Sequence, residues 1–423
     1  MDDLFEDKLL LLRLYYPAVA QEILKDFLTN CDGDLDATRS LIDGKPRPKK
    51  RQSSAQAALT KFTQKRPKPN SKNVFESDAT SHSPKTAPAA HSGDRQNVRN
   101  VLPIITLNTP LDVDEHLSPY ASLHLNFLPE SISNRLVHDL VEKQEAFRSN
   151  KFHLFGNQCE LNSSTGVFAR PAAPYSQLVF NGLKMPKPFP YSKSMEEVSE
   201  CVETFLNEKV IPQSQRLKWQ LNEPWTNDFS VVNCYEKLQN NMDWHSDRLS
   251  HIGPHNYVAS ISLGTTRMFR LRNTYKERAP IYQIPLPHNS LFIMRPGCQE
   301  EFKHCVSPML KAIDVHPVLG TTRFGITARC YTTFLIENLP RCKCDTKMVL
   351  RRSHKSLVNR GKYFWLCENV YQNKGCNSFY WCDFTNVEGN YTAKDDSNIS
   401  IWIAPEDTDK LNYDKNFSIN TET

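Results

Sequence analysis

The stretch NCYEKLQNNMDWHSD, residues 233–247, carries two pairs of polar side chains, each pair spaced two residues apart. On an extended strand, positions i and i+2 point to the same face. Asn233 and Tyr235 therefore direct an amide and a phenol to one side, and His245 and Asp247 direct an imidazole and a carboxylate to one side. An H-x-D spacing alone arises often by chance, and a lone strand histidine is more often a satisfied core residue than a ligand. The spacing gains weight from the chain downstream. After the strand-like NSLFIMRPG comes EFKHCVSP, which supplies His304. Two imidazoles and one carboxylate on one side of a cavity form a facial triad that holds Fe(II) and leaves open positions. Further on, RFGITAR places Arg323 and Arg329 six apart, again on one strand face. An arginine fork matches a carboxylate bidentately, so this strand is a natural clamp for the distal end of 2-oxoglutarate.

The order N-x-Y, H-x-D, H and R-x5-R, each on a strand-like segment, resembles the AlkB family of DNA and RNA dealkylating dioxygenases. NCYEKLQNNMDWHSD, VASISLGTTRMFRL, LPHNSLFIMRPGCQEEFKHCV and RFGITARCY match its successive blocks across roughly residues 120–335. The resemblance implies that His245, Asp247 and His304 bind Fe(II), that Asn233 and Tyr235 contact 2-oxoglutarate, and that Arg323 pairs with its distal carboxylate. Arg329 would stabilise the carboxylates beside the metal and the reacting group. The implied chemistry is oxidative decarboxylation of 2-oxoglutarate to succinate and CO2, hydroxylation of an N-alkyl carbon, and loss of formaldehyde to regenerate the base. DNA-repair members often have a second acidic residue after the ligand Asp, and this sequence has Arg248 there. Phe152, Phe155, Phe168 and Tyr175 are candidates for a lid that stacks a flipped base, with ordinary core packing as the alternative.

Composition places these blocks in a longer, uneven chain. Its 423 residues allow two or three domains, and 39% hydrophobic content with a mean hydropathy of −0.55 predicts that part of it is disordered. The net charge of +5 is mild, and no run of 18 apolar residues occurs, which excludes a membrane-spanning helix. The opening MDDLFEDKLL is acidic and shows no signal-peptide pattern, so the 12 cysteines are expected to be thiols or metal ligands in a reducing compartment. Strand-like alternation recurs from about 101 to 338, flanked by helices predicted near 130–148, with Ser131 as its cap, and near 194–210.

Residues 339–384 hold five of the 12 cysteines. C-K-C at 342–344, then KYFWLC ending at Cys367 and GCNSFYWC from 375 to 382, is a layout suited to tetrahedral zinc. It resembles a GRF-type zinc finger, in which Asn359 to Cys367 and Cys376 to Trp381 carry the match and Gly361-Lys362-Tyr363 stands for the name-giving triplet. The resemblance implies Cys342, Cys344, Cys367 and Cys376 as zinc ligands, with Cys382 or His354 in reserve. Arg351, Arg352, Lys355, Arg360 and Lys362, interleaved with Tyr363, Phe364, Trp365 and Tyr380, suit a single-stranded nucleic-acid surface tethered to the enzyme; a zinc-stapled mini-core is the alternative.

Leucines at helical spacing in residues 1–44, divided by Pro17 and a turn at Asp32–Asp34, predict three short helices. Tyr15-Tyr16-Pro17 and Leu41-Ile42 make residues 9–42 similar to a CUE domain, which implies ubiquitin as a partner; a plain interaction module is the alternative. Residues 45–100 read as a linker, with nine Lys or Arg and no acidic residue between 45 and 70. Within it Lys45–Arg51 resembles a nuclear localisation signal and Gln56–Thr63 a sliding-clamp interaction box. The expected architecture is mixed and multidomain: a CUE-like three-helix module (1–44), the basic linker (45–100), a double-stranded β-helix (jelly roll) dioxygenase with flanking helices (101–338), a GRF-type finger (339–388) and a polar tail (389–423). The expected function is nuclear dealkylation of DNA, preferably single-stranded. RNA demethylation, hydroxylation of another substrate, or a nucleic-acid adaptor with a silent iron site are the alternatives.

Overall fold

The computed structural model describes residues 102–154, 157–170, 179–180, 183–184, 187–276, 278–331, 338–372 and 375–421, together with Leu9, Leu12, Tyr16, Leu24, Leu28 and Thr38. Its strands are β1 (Ile104–Thr106), β2 (Ala121–His124), β3 (Arg148–Leu154), β4 (Asn157–Ala169), β5 (Val179–Phe180), β6 (Leu183–Lys184) and β7 (Phe189–Pro190). Then come β8 (Phe229–Tyr235), β9 (Met242–His245), β10 (Val258–Gly264), β11 (Arg267–Asn273), β12 (Ile281–Leu286), β13 (Ser290–Met294), β14 (Phe302–Val306) and β15 (Arg323–Arg329). Last are β16 (Met348–Arg352), β17 (Tyr363–Cys367) and β18 (Phe379–Trp381).

Strands β8 to β15 are shared between two sheets, one containing β13-β10-β15-β8 and the other β12-β11-β14-β9, with antiparallel neighbours throughout. The strands that the alternating sequence predicts are present, and their two facing sheets are consistent with the jelly roll that the family resemblance implies. The first sheet is widened by β2 at one edge and by β4, β3 and β7 at the other, and the second by β1 in parallel with β12.

The larger sheet is buried on both faces, and its two faces differ in chemistry. Ala259, Ile261 and Leu263 of β10 and Phe324, Ile326 and Ala328 of β15 join a back core with helices Glu130–Lys143 and Lys193–Phe205. Both helices form because their apolar residues recur every three or four positions: Leu136, Val137 and Leu140 in one, Met195, Val198 and Val202 in the other. Ser192 caps the second helix by accepting from the Met195 amide. The first begins differently from expectation. Its cap position is Pro129, with no side-chain cap, and Ser131 lies inside the helix, because the proline's fixed φ already suits the entry to the first turn. The other face of the larger sheet looks toward the second sheet and carries Arg323, Gly325, Thr327 and Arg329 from β15. A sandwich interior is normally apolar, so polar residues alternating on this inner face mark the site.

The cysteine-rich segment is no tethered appendage. Sheet β16-β17-β18 contributes Met348, Leu350, Tyr363, Trp365 and Cys367 to the same core as Tyr120, Val258, Cys298 and Phe302 of the jelly roll. The expected polar tail is likewise built in. Ile399, Trp402 and Ala404 are buried, the Tyr363 amide donates to Ser400 O at 3.0 Å, and a helix follows at Thr408–Thr421. Gly361 makes that contact possible, since at φ +89 an added Cβ would stand 2.6 Å from the Trp402 carbonyl.

Among the six described N-terminal residues, Leu9, Leu12, Leu24 and Leu28 form a small buried cluster with Tyr16 against it. Pro17, Leu41, Ile42, the localisation motif at 45–51 and the clamp box at 56–63 lie outside the described residues. Among the described residues no helix is long and apolar enough to cross a membrane.

Candidate active site

The three expected iron ligands converge. His245 ends β9 and stands directly opposite His304 on β14, with ring centroids 4.2 Å apart. Asp247 follows two residues later, and the ligand atoms of all three lie within 4.8 Å of one another. The register explains the aim of His245. Between the pairs His304↔His245 and Val306↔Met242, β9 spends three steps where β14 spends two. That extra residue is a bulge, which bends the edge strand and redirects its last side chain.

Each ligand is held by a partner. His245 Nδ1 donates to the Asp243 carbonyl at 2.7 Å, which leaves Nε2 as the free lone pair. Asp247 receives both arms of Arg329, Nε at 3.0 Å and Nη2 at 3.1 Å, and its amide donates to Gln299 Oε1 at 2.7 Å. Burial alone would raise the Asp247 carboxyl, but Arg329 and the two histidines hold it well below the usual carboxylate range. His304 is pushed down to about 3, by burial first and then by His245. A neutral imidazole at His304 and an ionised carboxylate at Asp247 are protonation states that suit metal binding. The donor set, two nitrogens and one oxygen on one side, fits Fe(II).

The second expected group lies deeper, between the sheets. Arg323 opens β15 opposite Tyr235, is 3% exposed, and has its guanidinium 5.3 Å from the Tyr235 ring centroid. Its Nη2 donates to Ser262 Oγ at 2.7 Å, while its Nε is buried without a partner. Among the described residues no carboxylate pairs with it. Gly325 leaves room for this group, since a Cβ there would sit 2.6 Å from Arg323 Nη1. Asn233 accepts from Thr165 Oγ1 at 3.0 Å and points along the same face of β8 as Tyr235. A buried cation lacking a counter-charge is costly unless a bound anion completes it. The pocket is therefore suited to a carboxylate ligand such as 2-oxoglutarate.

Sequence reasoning missed Arg267. It is 1% exposed, lies 5.3 Å from the Tyr235 ring centroid, and donates to the carbonyls of Lys237, Leu238 and Asn240. It thereby ties down the turn that joins β8 to β9, and burial beside Arg323 lowers it to about 10. A hint was present: an arginine within the otherwise apolar strand pattern of LGTTRMF. Of the two readings left open for Phe168, a base-stacking lid or ordinary core packing, the structure gives the second. Phe168 is 1% exposed behind the sheet, packed on Phe147 and Phe189, so it cannot stack on a base. Phe155 and Tyr175, and the side chain of Phe152, are outside the described residues.

The four expected zinc ligands also meet. Cys342, Cys344, Cys367 and Cys376 bring their sulfurs within 4.8 Å of one another, with Sγ of Cys342 and Cys344 3.0 Å apart. Hydrogen bonds from Ser378 outweigh the effect of burial and lower Cys376 to about 5, as a thiolate ligand needs. The reserve candidates Cys382 and His354 do not join this cluster. Four thiols at this spacing fit tetrahedral zinc. Two members of the basic cluster around them, Arg352 and Arg360, are structural. Arg352 is paired with Glu301 at 3.0 Å and Arg360 with Asp407 at 3.0 Å, and all four side chains are buried. Tyr363 and Trp365 are core, whereas Lys362 lies 5.3 Å from the Trp381 ring, nearer the surface.

Parts of this chain are similar to known proteins. Residues 121–329 match the family described as the 2OG-Fe(II) oxygenase superfamily, whose cofactors are Fe(II) and 2-oxoglutarate. Alpha-ketoglutarate-dependent dioxygenase alkB homolog 3 of Bos taurus is 35% identical over 102 residues, covering 21% of this chain and 35% of that protein. The Homo sapiens protein of the same name is 33% identical over 107 residues, 22% of this chain and 36% of its own. The chain thus spans about a third of the length of these curated relatives. A solved structure described as OsALKBH1 overlaps 51% of this chain and 98% of its own at 18% identity, with a TM-score of 0.36.

Proposed function

We propose, from the premise that residues 121–329 form a 2OG-Fe(II) oxygenase domain of the AlkB type, that this chain oxidatively removes N-alkyl groups from nucleobases. The observation that carries the reading is the pairing of a two-histidine, one-carboxylate cluster, in which His304 is buried and His245 and Asp247 are half-buried, with a buried Arg323 that lacks a carboxylate partner among the described residues. His245, Asp247 and His304 would hold Fe(II). Arg323 would take the distal carboxylate of 2-oxoglutarate, with Asn233 and Tyr235 as further contacts. Bound iron would supply O2 activation, one oxygen atom going to 2-oxoglutarate as it decarboxylates to succinate and CO2 and the other to the N-methyl carbon, which then leaves as formaldehyde. The chain's own part is to keep Asp247 ionised through Arg329, to keep His304 neutral, and to bury the cosubstrate away from water.

The substrate class rests on the AlkB resemblance: alkylated DNA, preferably unpaired, because a base already out of its stack avoids the cost of unpairing. RNA is the neighbouring alternative. Zinc at the four cysteines, ubiquitin at residues 9–42, a sliding clamp at 56–63 and a nuclear address at 45–51 belong to the same reading and rest on motif resemblance. The test is product analysis after incubation with single-stranded DNA and RNA oligonucleotides bearing 1-methyladenine or 3-methylcytosine, with Fe(II), 2-oxoglutarate and ascorbate. Formaldehyde and succinate in equal amounts are expected. Their absence with every oligonucleotide would leave a nucleic-acid adaptor as the better reading.

A further inference from the structure

The two candidate metal sites are joined through the chain. Arg248 follows Asp247 directly, and Glu368 follows Cys367 directly. Arg248 Nη1 lies 2.7 Å from Glu368 Oε1, with the two side chains only 12% and 8% exposed. One iron-ligand neighbour thus grips one zinc-ligand neighbour. A second link reaches the other side of the iron site. Arg352 of β16 lies 3.0 Å from Glu301 and donates to the Glu300 carbonyl at 2.9 Å. Glu300 and Glu301 belong to the short helix Cys298–Glu301, which runs straight into β14 and His304. From that same helix Gln299 accepts the Asp247 amide. Between these two ion pairs the Leu350 amide donates to Ser250 Oγ at 2.9 Å, fixing the turn after Asp247 to β16. On the cysteine side the same strands are set by the thiols, because β16 starts four residues after Cys344 and pairs Met348 with Cys367.

We propose that the four-cysteine module clamps the iron site from both sides, with Arg248 and Glu368 as positioning residues, so that metal held by the thiols sets the affinity of the iron site. This rests on the iron-site reading above. The physical argument is continuity. Four convergent thiols hold their arrangement only when a metal bridges them. Cys367 and Glu368 share a backbone, so loosening the first releases the second. Arg248 would then lose its buried partner, and the loop bearing Asp247 would be free to shift. Partners outside the ligand set typically change metal affinity by about 10- to 100-fold when removed.

The experiment is anaerobic titration of the zinc-loaded full chain with Mn(II), following free Mn(II) by electron paramagnetic resonance. Wild type, Glu368→Gln, Arg248→Lys, Cys376→Ser and His245→Ala are compared, with zinc content and melting temperature measured for each. Glu368→Gln should weaken Mn(II) binding about tenfold or more while zinc content is unchanged. Arg248→Lys, which keeps the charge, should fall between Glu368→Gln and wild type. Cys376→Ser should lose zinc and weaken Mn(II) at least as much as Glu368→Gln. A folded Glu368→Gln chain that binds Mn(II) within about twofold of wild type overturns the clamp. A folded, zinc-free Cys376→Ser chain with wild-type affinity overturns its dependence on the thiol-bound metal. Should Glu368→Gln fail to fold, Arg248→Met combined with Glu368→Leu removes both buried charges together and is read by the same criterion. A wild type that binds no better than His245→Ala would overturn the iron-site reading itself, whereas binding lost in His245→Ala and kept in Glu368→Gln overturns the clamp alone.

Discussion

At the scale of single residues, Arg323 shows most directly what the site waits for. Its fork is buried with Ser262 and Tyr235 as partners and, among the described residues, no carboxylate. Arg323→Lys keeps the charge and loses the bidentate geometry, so KM for 2-oxoglutarate should rise about tenfold, the effect of one charge-assisted hydrogen bond. Mn(II) binding should be unchanged, and an unchanged KM would assign the distal carboxylate to another group. Gly325→Ala should act in the same direction from beneath, because its Cβ would collide with Arg323 Nη1. A pH dependence follows from His251, whose ring burial, with Arg248, Lys347 and Arg329 nearby, lowers it from 6.5 to about 3. The unfolded chain then binds a proton there that the folded chain refuses. Stability from this group is complete above pH 6.5 and is lost as pH falls toward 3. Melting temperature should decline over that window, and less steeply in His251→Gln; identical slopes would remove His251 from the cause.

At the scale of elements, the strands were legible because a two-residue period is a local property of sequence. Alternation in RFGITAR distinguishes an apolar face from a polar one, and β15 keeps that division, with Phe324 and Ile326 behind and Arg323 and Arg329 inside. Alternation cannot say what a face meets, so it leaves Phe168 open between a lid and the core, and the side chain lies in the back core. The arginines of the cysteine module were misjudged for a related reason. Their partners are remote in sequence: Asp407 is 47 residues from Arg360 and buried with it. A run of basic residues looks solvated until those acids are in place. Arg352→Met tests the difference. A nucleic-acid contact would cost affinity for oligonucleotides alone, whereas leaving Glu301 buried and unpaired should cost about 3–5 kcal/mol of stability. Urea unfolding of the purified variant decides between them.

At the scale of the whole molecule, one core runs from Leu107 through the jelly roll to Trp402 and Ala404. Domain boundaries drawn from composition at 338 and 388 therefore mark changes of residue type, with no break in the packing. Deleting residues 339–423 would uncover the faces of Tyr120, Cys298 and Phe302 and strip Glu300 and Glu301 of Arg352. The shortened chain should be largely insoluble, while the full chain from residue 101 onward should unfold in one cooperative calorimetric transition. Two separated transitions would show that the cysteine module folds on its own. The shared core also imposes an order of events on synthesis. The last strands to leave the ribosome complete the wall around the first, and Gly361 cannot meet Trp402 until both have emerged. A chain stalled before residue 402 would hold the three candidate metal ligands without the Trp402 and Ala404 side of the shared core.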